Sequence, residues 1–168
     1  IIGWLAWDMT GSAGFVGLVA FLNFFPTLFV SPLFGVFADR IDVRKGSILS
    51  YALAGTLSGL FAGMCILAGP TPLLLALFSF VTGVISSANH PMRMSLTPRL
   101  APTADLPSVV AITSLNFNMS RLTGPVIGGL LIQLTGASIA FAITAATYAA
   151  PVIAIYFMRP RDLSLIHI

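Results

Sequence analysis

The chain has 168 residues, of which 57% are hydrophobic and 8% charged, against roughly 25% charged in an ordinary soluble domain. It contains no glutamate and one lysine, Lys45, so a water-exposed surface cannot be built from it, and its apolar content excludes disorder. Its net charge of +3 rests on basic residues that are few and lie between apolar runs, a pattern that orients spans in a bilayer rather than one that binds nucleic acid.

The first apolar run, Ile1 to Trp7, is too short to span and reads as the tail of a truncated helix. It has no basic region before it and is not a signal peptide. A polar turn, DMTGSAG, leads to the next expected span, about 15–37. Its Pro26 and Pro32 are compatible with a membrane helix, although they would break a soluble one. A short charged loop, ADRIDVRK, follows. From Gly46 to Met92 there are then 47 uncharged residues, enough for spans at about 46–68 and 73–92 with a turn at GPTP.

A longer polar loop carries Arg93 and Arg99, with Asp105 as the N-cap of the next helix and Pro107 in its first turn. The last two expected spans, about 109–134 and 139–158, are separated by TGAS. No strand alternation competes with this reading. The expected domain is a transmembrane half over 1–162, and LSLIHI at 163–168 reads as a translated sequencing-adapter end. Cys65 is alone in an apolar run, which leaves no disulfide framework and no metal-ligand cluster.

With alternating spans, Arg40, Arg44, Lys45, Arg93, Arg99, Arg159 and Arg161 all fall on one side, and the opposite turns carry no Lys or Arg. The basic side is therefore expected to be cytoplasmic. The remaining basic residue, Arg121, lies mid-span, where an arginine costs about 2.5–3.5 kcal/mol and must face protein or water. At 100° per residue, Ser114, Asn118, Arg121 and Pro125 fall within about 60° and form one polar stripe. Ser120, Gly124 and Gly128 form an adjacent small-residue stripe, suited to close packing on another helix, and Pro125 is positioned to bend this helix.

Two readings of Arg121 stand side by side: a structural pair with a neighbouring helix, or a group that meets substrate or takes part in proton coupling. Asn23 likewise reads as cavity-lining or as a packed amide. Gly55, Gly59 and Gly63 read as packing. His90, with Asn89, Ser86 and Ser87, reads as a helix-end histidine more readily than as a proton relay.

GVFADRIDVRK, Gly35 to Lys45, resembles the signature loop between helices two and three of the major facilitator superfamily, matched at Gly35, Asp39, Arg40, Arg44 and Lys45. Asp42 stands where the pattern has glycine, and Val43 where it often has a base. The stretch from His90 to Gly129 is similar to the helix-four to helix-five region of the exporter branch that includes enterobactin and macrolide efflux proteins. It matches at Pro91, Arg93, Pro98, Leu106, Asn118, Arg121, Gly124, Pro125, Gly128 and Gly129. The Gly-Pro-x-x-Gly-Gly core also resembles the antiporter signature of helix five.

The resemblance implies an all-α bundle, the N-terminal six-helix half of a twelve-helix transporter in the bacterial cytoplasmic membrane. Its partners would be a small-molecule substrate, protons, the lipid bilayer and the C-terminal half of the same protein. It implies that the Gly35–Lys45 loop is a conformational latch, where the residues alone require only positive-inside anchoring. No catalytic constellation, cofactor or metal site is expected. The function it implies is proton-coupled efflux. The alternatives are an uptake symporter, a non-transporting scaffold or a membrane-embedded enzyme.

Overall fold

The computed structural model describes residues 1–38, 42–100 and 105–157, with the backbone alone at 35–38 and 95–100. Among these residues the structure is helical, without strands: α1 (Ile2–Thr10), α2 (Ala13–Ala38), α3 (Val43–Ala68), α4 (Pro72–Leu100), α5 (Leu106–Thr147) and α6 (Ala149–Phe157). Runs without charge must satisfy every backbone N–H and C=O internally when placed in lipid, and the α-helix does so within one segment. Among the described residues, four helical stretches are long and apolar enough to cross a membrane: Ala13–Phe34, Val43–Ala68, Pro72–Met94 and Leu106–Phe157.

The fourth stretch has 52 residues, against about 20 for one crossing. Gly136 interrupts it with φ 78° and ψ 168°. Phe117 and Tyr148, on either side of that glycine, line one cavity. A straight helix would hold them about 46 Å apart at 1.5 Å per residue. The chain therefore doubles back at Gly136, and the residues after it descend along α3. Phe141 meets Phe61 (ring centroids 4.6 Å apart), Tyr148 meets Tyr51 (6.4 Å), and Ile155 clusters with Val43.

The three positive-φ residues, Gly11, Gly69 and Gly136, join α1 to α2, α3 to α4, and the two arms of α5–α6. In this alternating arrangement they share one end of the bundle. The basic residues Arg44, Lys45 and Arg93 belong to the other end. α4 runs through Pro91 and, past the end of its apolar span at Met94, through Pro98 to Leu100.

Packing is in two layers along the bundle. Near the glycine end, the rings of Phe61 and Phe78 meet tilted (centroids 4.3 Å apart) and Phe141 meets each of them edge-on (4.6 and 5.3 Å), within a core that includes Leu5, Val19, Leu75 and Cys65. Near the basic end, Val43, Met92 and Ile155 are buried together, with Phe34, Ile48 and Tyr51 against them. The α2–α4 contact is the tightest: a Cβ on Gly83 would lie 2.3 Å from the backbone oxygen of Asn23. Only glycine allows these two backbones so close.

Candidate functional site

The polar stripe on α5 lies exposed. Ser114, Asn118 and Arg121 all lack cover from the described residues. The Asn118 amide donates to the Ser114 carbonyl of its own helix at 2.9 Å. The Arg121 guanidinium sits 5.6 Å from the centroid of the Phe117 ring, a cation–π contact, and has no hydrogen bond or ion pair among the described residues. On the adjacent stripe, a Cβ at Gly128 would lie 2.9 Å from the side chain of Ile1, the N-cap of α1. Among the described residues, nothing lies within 4 Å of such an atom at Gly124 or Gly129, and Ser120 and Pro125 are exposed.

Asn23 sits elsewhere, between α2 and α4. Its amide donates to the Ser79 carbonyl and to the Thr82 hydroxyl, both at 3.1 Å. One turn along, the hydroxyls of Thr27 and Ser87 are 2.9 Å apart. These pairs form an interhelical polar seam. The structure thus brings Ser114, Asn118 and Arg121 together and leaves Asn23 apart from them.

At the basic end, Gly35 lies in the last turns of α2, and Asp39 and Arg40 lie outside the described residues. Asp42 is the N-cap of α3 and accepts the backbone N–H groups of Arg44 (3.0 Å) and Lys45 (3.3 Å). Lys45 also pairs with Asp42 at 3.9 Å, an exposed contact of small value. The Arg44 Nε donates to the Ile155 carbonyl at 3.1 Å, and its Nη2 donates to the Tyr156 carbonyl.

Pro91 and Arg93 belong to α4, where Arg93 borders two adjoining cavities. One, about 290 Å³, is lined by Tyr51, Ser86, Asn89, His90, Phe117 and Tyr148 among others. The second, about 240 Å³, is more apolar and lies between α4 and α5, with Val109, Val110 and Phe117 in its wall. The Asn89 Nδ2 is buried without a partner among the described residues, an orphaned donor beside this cleft. Sequence reasoning placed Asn89 at a helix end but missed Tyr51 and Tyr148. They come together only because the chain reverses at Gly136. The chemistry on offer is recognition: cationic groups, amides and hydroxyls beside apolar walls.

The sequence profile of the transmembrane secretion effector family matches residues 1–164. The chain is 28% identical over 160 residues to the multidrug efflux pump Tap of Mycobacterium tuberculosis, covering 90% of this chain and 38% of the pump. It is 25% identical over 152 residues to the staphyloferrin A transporter of Staphylococcus aureus, covering 88% of this chain and 37% of that protein. It is 31% identical over 145 residues to the enterobactin exporter EntS of Shigella dysenteriae, covering 84% of this chain and 31% of that protein. The chain thus spans less than two-fifths of the length of these relatives, which are transporters and not enzymes. No solved structure matches the chain at significance. A profile match over nearly every residue, on an all-helical chain with membrane-length apolar helices, means that the chain belongs to the transmembrane secretion effector family of the major facilitator superfamily.

Proposed function

We propose that this chain is the N-terminal six-helix half of a twelve-helix secondary transporter that exports a small organic molecule in exchange for protons. The substrate path runs between the two halves, which rock about it. The membrane is the bacterial cytoplasmic membrane, with the basic end of the bundle inside. Ser114, Asn118 and Arg121 face the path. The Gly35–Lys45 loop, with Asp39 at its centre, latches this half to the other in one conformation. The Tap and EntS relatives, named as an efflux pump and an exporter, support the outward direction.

The observation that carries this reading is Arg121. It is a permanent cation within a long apolar helix, on a face that the described residues leave open, and a charge there is tolerated only beside water, substrate or a partner. Inside-out vesicles holding the full-length protein provide the test. A panel of siderophores and drugs is added to vesicles that maintain an acid interior, and dye fluorescence reports the proton gradient. A transported compound should discharge the gradient in wild type and leave it intact in Arg121→Ala. Uphill accumulation of the compound that continues after an ionophore collapses the gradient would rule out proton exchange as the driving reaction.

A further inference from the structure

We infer that Asp42 and Arg44 form a clip that fastens the basic end of α6 to the start of α3. The last described turn of α6 is thereby held beside the first turn of α3. The carbonyls of Ile155 and Tyr156 lie in the last described turn of α6, toward the negative end of the helix dipole, and Pro160, four residues beyond Tyr156, has no N–H to offer. Arg44 meets both needs at once. Its Nε reaches the Ile155 carbonyl, its Nη2 reaches the Tyr156 carbonyl, and its charge sits at the favourable pole.

Arg44 is itself positioned. The Asp42 carboxylate accepts the Arg44 backbone N–H at 3.0 Å and so fixes the first turn of α3 from which the guanidinium projects. Directly beneath, the Ile155 side chain is 8% exposed and packs on Val43 and Met92, at 2% and 4%. Polar clip and apolar plug therefore act on the same residue of α6. A base of any kind at position 44 would serve to anchor the loop inside. The two successive carbonyls are met by separate nitrogens of one planar guanidinium, whereas lysine offers its three N–H donors from a single atom on a flexible stem. Arg44 and Lys45, neighbours in one basic cluster, thus differ in role: Arg44 bridges 111 residues of sequence, and Lys45 pairs with Asp42 three residues away.

The clip does not depend on the substrate or on proton exchange, and its test reads neither. In the full-length protein with Cys65→Ser, single cysteines are placed at Ile155 and, as a control in the other core layer, at Phe141. Maleimide labelling rates are then measured in membranes. Arg44→Ala should speed labelling at position 155 about tenfold and leave position 141 unchanged. Arg44→Lys should give an intermediate rate, and Asp42→Ala a smaller rise at 155 alone. Because Arg44→Ala is able to lower folded yield, the lysine variant carries the same comparison. An unchanged rate at 155, a lysine variant equal to wild type, or equal increases at 155 and 141 would each overturn the clip.

Discussion

Asn23 on α2 and Asn118 on α5 are the same side chain inside long apolar helices, yet the first bonds across to α4 and the second bonds back to its own helix. The α2–α4 seam has settled its polar groups internally: Asn23 with Ser79 and Thr82, and Thr27 with Ser87. Along the first arm of α5, Ser114, Asn118 and Arg121 are left presenting donors outward. The glycines follow the same division. Gly83 is pressed against the Asn23 backbone, whereas nothing approaches Gly124. Polar residues in an apolar helix thus do two different jobs. What separates them is whether a neighbouring helix comes close enough to complete the bond.

The largest effect should come from filling the seam. Gly83→Leu places a side chain where a Cβ already falls 2.3 Å from a backbone oxygen, so α2 and α4 must part. Folded, detergent-extractable protein should fall to a small fraction of wild type. Gly124→Leu should leave the yield of this half near normal, and if the two substitutions lower yield equally, the contrast between the two faces fails.

Next comes Arg121→Ala in the full-length protein. Removing a mid-span charge relieves about 2.5–3.5 kcal/mol of insertion cost, so abundance should hold or rise. Transport per folded molecule should drop by about tenfold or more, equivalent to at least roughly 1.4 kcal/mol of lost recognition. Arg121→Lys keeps the charge and should retain part of the activity. A fall in melting temperature as large as that of Asn23→Ala would make the arginine a structural member like the seam residues.

The smallest effect belongs to the seam hydrogen bonds. Interhelical bonds in membrane proteins average about 0.6 kcal/mol and reach about 1.7. Asn23→Ala removes two of them and should cost about 1 kcal/mol in an unfolding titration. A double-mutant cycle with Thr82→Ala should recover about 0.6 kcal/mol of coupling between the pair. Zero coupling would mean that the seam is held by backbone packing at Gly83 alone.

The all-helical class was legible because the absence of charge over long runs is a strong signal, and the turns at Gly11 and Gly69 announce themselves through glycine and proline. Other features left less trace. Hydropathy marks where apolar residues stop, not where hydrogen bonding stops, so α4 reaches Leu100 although its apolar span ends at Met94. The partner of Arg44 lies 111 residues away, and no periodicity links a guanidinium to two carbonyls at that separation. The packed-amide reading of Asn23 gains its partners only once Ser79 and Thr82 stand opposite it, and Asn23 also borders a cavity between α1 and α2. On α5 the helical repeat did place Ser114, Asn118 and Arg121 on one face. It did not indicate that Gly124 and Gly129 meet nothing and that Gly128 meets Ile1.

The reversal at Gly136 has a mechanical consequence. It is made by a single residue, with φ 78° and ψ 168°, a region essentially reserved for glycine. A Cβ there would meet open space, so conformation rather than room dictates the residue. A hairpin without a loop has no slack. The arms on either side of Gly136 cannot slide past one another as two rods on a cord could, and a tilt of one must be answered at once by the other. The same stiffness makes this joint the worst place on its end of the bundle to insert a tag or a reporter domain. The Gly69–Thr71 turn, with several residues between helices, is the tolerant one.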